Sequence, residues 1–358
     1  MNSIVVSGRT GIATVAKTIA AGGIAAIPTE TVYGLGADAT NATAVARIYQ
    51  AKGRPGDNPL ILHIAEVDAF WALADCVPDY AQALMDAFWP GPLTLVVKKK
   101  PGLPGWLGGH PSRTAATVGV RMPSHPMALA VIRESGCYVA APSANKAGTP
   151  SPTCAEHVAH DFADGSIDYV LDGGAVDCGL ESTVVDVTGP EPLILRPGAI
   201  TAEMVADVTG LTARIYADGT KAISQMADSN SALAEAPRAP GMKYRHYAPK
   251  APMTLLVGEE EKIAAYVMGE VDKGRKTGIL LTARTMSRLG DTGTAEKLVL
   301  GDKSMPESIA RNLYACLRQF DILGVDVIFA ESAPEEGLGV AIMDRMKKAA
   351  EGRVVYVT

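Results

Sequence analysis

The chain has 358 residues, of which 47% are hydrophobic and 20% charged, and its net charge is −6 at pH 7. That is the composition of a water-soluble globular protein with length for roughly two domains, each able to bury a core without staples. The acidic balance disfavours extensive nucleic-acid binding, and no stretch approaches the roughly 20 apolar residues that cross a bilayer.

The first helix is expected from about Thr10, because Ile12, Val15, Ala16, Ile19 and Ala20 share one face at helical spacing. Gly22 and Gly23 then end it, since glycine takes the left-handed C-terminal conformation cheaply. Residues 24–28 read as a short buried strand opening into TETVYGLG. A second helix begins at Asn41, a good N-cap, and turns Val45, Ile48 and Tyr49 inward. Apolar runs at 60–64, 93–97, 118–122, 138–141, 169–171, 183–187 and 193–195 read as strands. Helical stretches at 126–135 and 152–162 separate some of them, and short turns join others, so the sheet is expected to be mixed.

From about residue 212 to 252 the pattern fades into Ala, Ser, Asp and Pro, a segment too long for a routine loop. It reads as a linker, a functional segment, or both. Beyond it, MTLLVG, TGILLTA, KLVLG, VIFAES and VVYV alternate with helical segments. That rhythm predicts a smaller, Rossmann-like parallel α/β domain. Its clearest helix opens on Ser304-Met305-Pro306-Glu307, a capping-box spelling, with Ile309, Leu313, Leu317 and Phe320 as the buried stripe. The expected division is 1–211, a linker over 212–252, and 253–358.

Several chemistries lack their signatures. No GxGxxG opens a helix and no GxxxxGK[ST] occurs, so neither dinucleotide nor P-loop binding is supported. No serine sits in a GxSxG elbow, and no covalent nucleophile is indicated. His157 and His160 lack a third ligand nearby and read as a polar helix face. The five scattered cysteines form no CxxC pair and read as reduced core thiols of a cytoplasmic protein. The N-terminal MNSIVVSGRT is not spelled like a signal peptide.

What the sequence does offer is a set of cations and small hydroxyls at strand ends. Lys52-Gly53-Arg54-Pro55-Gly56-Asp57-Asn58-Pro59 puts two cations in a proline-stiffened loop after a helix. Lys52 could simply complement the helix C-terminus, or both charges could face one anion. Arg121 ends an apolar strand and must meet a carboxylate or phosphate; an internal ion pair and a ligand both fit. Ser143 and Asn145 in APSAN, Glu181-Ser182-Thr183 and Arg196-Pro197-Gly198 are each weak alone. Together they gather cations and hydroxyls where open α/β sheets bind ligands.

TETVYGLG, KGRPGDNPL, GVRMP, APSAN, EST and LRPG, met in this order, closely resemble the YrdC-like family. APGMKYRHYAP (239–249) and the trailing α/β domain resemble its long, Sua-type form. The resemblance covers nearly the whole chain and implies a threonylcarbamoyl-AMP synthase using L-threonine, bicarbonate and ATP with Mg²⁺. Its product would pass to a tRNA threonylcarbamoyl-transferase complex. By similarity, Thr31, His63, Arg121, Ala141 and Ser182 would hold threonine. Lys52, Arg54, Asn58, Thr117, Ser143, Asn145, Ser151 and Arg196 would hold ATP, with Lys52 and Arg54 positioning the phosphates. Tyr244, Arg245, His246 and Tyr247 would form a lid over the pocket; an exposed basic hinge is the plainer reading of them. No side chains are expected to ligate the metal. Two rivals are an RNA-binding module without ATP chemistry and a carbamoyl-transfer protein of hydrogenase maturation. The acidic charge and the lack of an aromatic RNA-binding strand weigh against the first. The lack of zinc-finger cysteine pairs weighs against the second.

Overall fold

The computed structural model describes residues 4–216 and 247–358. In the first part the strands are β1 (Ile4–Ser7), β2 (Ala25–Ile27), β3 (Gly34–Asp38), β4 (Ile61–His63), β5 (Ala74–Asp75), β6 (Leu93–Lys99), β7 (Thr117–Arg121), β8 (Val139–Ala140), β9 (Tyr169–Asp172), β10 (Thr183–Asp186), β11 (Leu193–Arg196) and β12 (Arg214–Ile215). The helices are α1 (Gly8–Ala20), α2 (Ala42–Lys52), α3 (Val67–Leu73), α4 (Asp79–Phe88), α5 (Pro126–Ser135), α6 (Ala155–Asp161) and α7 (Ala202–Thr209). All the strands join one twelve-stranded sheet in the order β1-β9-β2-β3-β8-β4-β7-β6-β10-β11-β12, with β5 paired to β6. Parallel and antiparallel pairs both occur, as the short turns between strands require.

Local chemistry explains the element ends. Asn41 caps α2, its side chain accepting from the Ala44 N–H, and Gly53 closes that helix in the left-handed region. On α1, Val15, Ala16 and Ile19 are buried, matching the spacing of the sequence. The helical stretch expected over 152–162 shortens to α6, which starts after Pro152 and Thr153. Helices α3 and α4 have only short apolar stripes, and strand β3, GLGAD, is too glycine-rich to announce itself.

The second part holds β13 (Met253–Val257), α8 (Glu260–Val271), β14 (Thr277–Leu281), α9 (Ala283–Met286), β15 (Glu296–Val299), α10 (Pro306–Leu323), β16 (Val327–Glu331), α11 (Leu338–Ala349) and β17 (Val354–Tyr356). Its five strands are all parallel, in the order β15-β14-β16-β13-β17. Ile309, Leu313, Leu317 and Phe320 are the buried stripe of α10. The capping box is not formed, however. Met305 is the N-cap and makes no side-chain cap bond, while the Ser304 hydroxyl donates to Asp302 instead. The tight turn at Asp302 competes for the serine and wins.

No helix among the described residues is long and apolar enough to cross a membrane. The described cysteines are all free thiols, but they are not fully buried core residues as expected: Cys76 is exposed and the other four are half-buried, all except Cys316 falling between elements rather than on their inward faces.

Candidate functional site

Strand register gathers the site. β4 and β7 run parallel, with His63 opposite Arg121 at their C-terminal ends. β6 lies antiparallel to β7 and places Thr94 opposite Arg121, while β10 runs parallel to β6 from Thr183. The loop after β2, the turn after β8 and the residues before β10 therefore converge on one cavity. Its lining includes Thr31, Arg54, His63, Arg121, Ala141, Ser143, Asn145, Ser151, Ser182, Arg196 and Tyr247 from the sequence set, together with Thr29 and Glu181.

One end of the cavity is built around Arg121. Its Nη2 lies 2.7 Å from Glu30 Oε1, its Nη1 donates to Thr31 Oγ1 at 3.0 Å, and its Nε donates to the Gly91 carbonyl at 3.2 Å. Burial pushes the Glu30 carboxyl up, but the neighbouring guanidinium outweighs it and leaves Glu30 below the usual carboxylate range. Burial drives His63 down to about 3, and the Arg121 charge acts in the same direction, so the imidazole is neutral. Its Nδ1 lies 3.3 Å from the Ile61 carbonyl; an N–H there leaves Nε2 as an acceptor. Ser182 is fixed from both sides, by Thr94 Oγ1 at 2.8 Å and by Arg196 Nη2 at 3.1 Å.

The other end carries the hydroxyls and amides. Ser143 Oγ donates to Asn145 Oδ1 at 2.5 Å, and Asn145 Nδ2 donates to the Lys146 and Thr149 carbonyls. Arg54 donates to the carbonyls of Asn58 and Pro59, at 3.2 and 2.6 Å. Ser151 Oγ donates to Glu181 Oε1 at 2.5 Å. Burial pushes Glu181 up, but Arg345 and Arg196 outweigh it and bring the carboxyl down to about 2. Gly198 closes this corner: a Cβ there would sit 2.4 Å from the Thr183 nitrogen, so only glycine lets the two segments meet.

The Sua5/YciO/YrdC family model, described as telomere recombination, matches residues 17–198, and the model of the threonylcarbamoyl-AMP synthase C-terminal domain matches residues 200–351. The threonylcarbamoyl-AMP synthase of Bacillus subtilis (strain 168) is 46% identical over 332 residues, covering 93% of this chain and 90% of that protein. That of Pyrococcus abyssi is 43% identical over 340 residues, covering 94% of this chain and 93% of that protein. The chain belongs to the threonylcarbamoyl-AMP synthase family. The crystal structure of P. abyssi Sua5 complexed with L-threonine superposes with a TM-score of 0.85 at 42% identity, over 100% of both chains.

Three residues that the family motif supplies lie outside the lining of this cavity. Lys52 is buried beneath the turn after β8, its Nζ donating to the Ser143 and Asn145 carbonyls, and burial lowers its basicity well below that of a free lysine. Asn58 is buried beside Arg54, and its Oδ1 has no hydrogen-bond partner. Thr117 lines a neighbouring cavity with Pro59, His110 and Arg113. Tyr33, which belongs to the TETVYGLG motif, is a packing residue: its hydroxyl donates to the Gly174 carbonyl at 2.7 Å. Tyr244, Arg245 and His246 lie outside the described residues. Tyr247 is buried, with a positive φ of 64°. Glu30, Thr29 and Glu181 complete the site without having been assigned a ligand in the sequence. Glu30 adjoins Thr31 in the same motif, which was the available signal.

Proposed function

We propose that the chain is a nucleotidyltransferase that forms threonylcarbamoyl-AMP and pyrophosphate from L-threonine, bicarbonate and ATP. The product would serve the tRNA threonylcarbamoyl-transferase complex in the cytoplasm. The observation that carries this reading is the meeting of a carboxylate-binding arginine with a hydroxyl- and cation-lined wall in one cavity of a family member.

Arg121 presents its planar fork to the threonine carboxylate, with Thr31 and Glu30 holding the guanidinium in place. Ser182 and Ala141 shape the space for the rest of the amino acid. His63 is too weak a base at about 3 to take a proton at neutral pH, so its part is to accept a hydrogen bond through Nε2. The threonine amine forms the C–N bond with carbon dioxide derived from bicarbonate. The ammonium proton leaves to solvent, and the oxygen lost from bicarbonate leaves as water. One carbamate oxygen then attacks the α-phosphorus of ATP, and the bond to the pyrophosphate oxygen breaks. Because the nucleophile belongs to the substrate, the protein supplies alignment and charge neutralisation rather than an activated side chain.

Arg54, Ser143, Asn145, Ser151 and Arg196 supply the contacts for the nucleotide. Asn58 lies buried beside Arg54 and Thr117 faces the neighbouring cavity, so neither contacts the nucleotide unless the loop moves, and Lys52 acts on the phosphates from beneath the turn it holds. Mg²⁺ would accompany the triphosphate and supply neutralisation of phosphate charge there, beside Arg54 and Arg196. The test is pyrophosphate release from ATP with threonine and bicarbonate each supplied or withheld. Release that needs both supports the proposal; release indifferent to threonine refutes it.

A further inference from the structure

Glu181 lines the cavity and takes the Ser151 hydroxyl on one oxygen, yet the donors to its other oxygen come from the other domain. The Tyr314 hydroxyl on α10 donates to Oε2 at 3.0 Å, and Arg345 Nε on α11 donates to the same oxygen at 3.0 Å. Arg345 is wholly buried, and its Nη2 also donates to the Pro197 carbonyl at 2.9 Å, beside Arg196. The Tyr247 ring stacks on Tyr314 with centroids 5.4 Å apart, and the Arg345 guanidinium stands 5.5 Å from its centre. One turn along α10, on the same face, Arg318 donates to the Pro150 carbonyl at 2.6 Å and pairs with Asp161 at 2.7 Å.

Two domains that merely needed to adhere would do so more cheaply through apolar side chains, because burying ions in an interface costs desolvation. Here the buried donors of α10 and α11 end instead on the segments carrying Ser151, Glu181 and Arg196. The contact is also close. At Gly179, with φ of 78°, an added Cβ would lie 2.4 Å from the Ala310 carbonyl oxygen, so the loop before Glu181 sits directly on α10.

We propose that the C-terminal domain is the frame that sets the nucleotide side of the cavity, with Tyr314 and Arg345 as positioning residues for Glu181 and Tyr247, and through Glu181 for Ser151. Neither residue lines the cavity, so each acts through the groups it holds. The proposal rests on the reading of this cavity as the synthase site.

The experiment compares the full chain with Tyr314→Phe and Arg345→Lys. Tyr314→Phe keeps the ring that stacks on Tyr247 and removes one donor; Arg345→Lys keeps the charge and removes the fork. KM for ATP and for threonine is read from pyrophosphate release, affinity for a non-hydrolysable ATP analogue by calorimetry, and folding by thermal melting. Loss of one hydrogen bond to a charged acceptor predicts a rise of about tenfold in ATP KM and in the analogue's Kd. Threonine KM is expected to stay within about twofold, a split that a general loss of fold does not produce. Folded variants with unchanged ATP KM and analogue affinity overturn the proposal, as does an equal rise for both substrates. If the parent binds the analogue but ignores threonine, the activity reading fails while the analogue affinities still decide the positioning role. A parent that binds no nucleotide overturns both.

Discussion

Arg121 offers the sharpest test of the threonine end, because its partners separate folding from binding. Arg121 and Glu30 are 4% and 6% exposed, and their charged atoms lie 2.7 Å apart. Replacing Arg121 with methionine strips Glu30 of its counter-charge in a site from which water is largely excluded. Removing one partner of such a pair costs about 3–5 kcal/mol of stability. Adding Glu30→Gln to Arg121→Met removes the stranded charge and should recover most of that loss, since a buried pair replaced at both ends is often nearly neutral. Arg121→Lys asks the other question. Lysine keeps the charge beside Glu30 but cannot present two parallel donors to a carboxylate, so one charge-assisted bond of about 1.5–3 kcal/mol disappears. Threonine affinity should fall about 10- to 100-fold while ATP affinity is retained. Urea denaturation measures the first effect and calorimetric titration the second. Parent-like threonine binding by Arg121→Lys, or a double variant no more stable than Arg121→Met, would refute the reasoning.

Lys52→Met removes the donor to the Ser143 and Asn145 carbonyls and should lower kcat/KM by about tenfold or more, with the melting curve showing a folded protein. In acid, His63 and Glu181 act in overlapping windows, with His63 beginning at the higher pH. With His63 at about 3 in the folded state against an ordinary 6.5, the unfolded chain takes up the proton first, so stability falls as pH drops from about 6.5 towards 3. His63→Gln should flatten part of that fall in a series of melting temperatures; His157, brought down to about 4 by burial, and His125, also lowered by burial, contribute to the rest. Glu181, at about 2 against 4.5, stabilises fully above pH 4.5 and loses that contribution between about 4.5 and 2, so Glu181→Gln should remove the lower step. Chelating Mg²⁺ should abolish pyrophosphate release, with recovery on adding it back, and should leave calorimetric threonine binding alone unaffected.

The sequence was most legible where local physics decides the outcome. Asn41 and Gly53 bracket α2 through capping chemistry, and the stripe on α10 follows from helical spacing. It was less legible where distant groups compete, as at Ser304, whose hydroxyl went to Asp302 rather than to the helix. For the site, the motifs located Arg121, His63, Ser143 and Ser182 by residue number. They could not say that Arg121 would be paired with Glu30, or that Lys52 would lie beneath a turn. Tyr314, Arg318 and Arg345 gave no signal at all. Polar side chains flanking an apolar stripe read as the solvated margin of a helix, and only the docking of the other domain turns that margin inward.

The Arg345–Glu181 contact also limits how the molecule can be divided. A fragment ending before β13 would keep every strand of the first sheet but expose Gly179 and leave Glu181 without its arginine. The positioning role proposed for Arg345 therefore predicts that such a fragment keeps its fold and loses nucleotide affinity, which makes the boundary of the working unit a matter of side-chain contacts as well as of strand count.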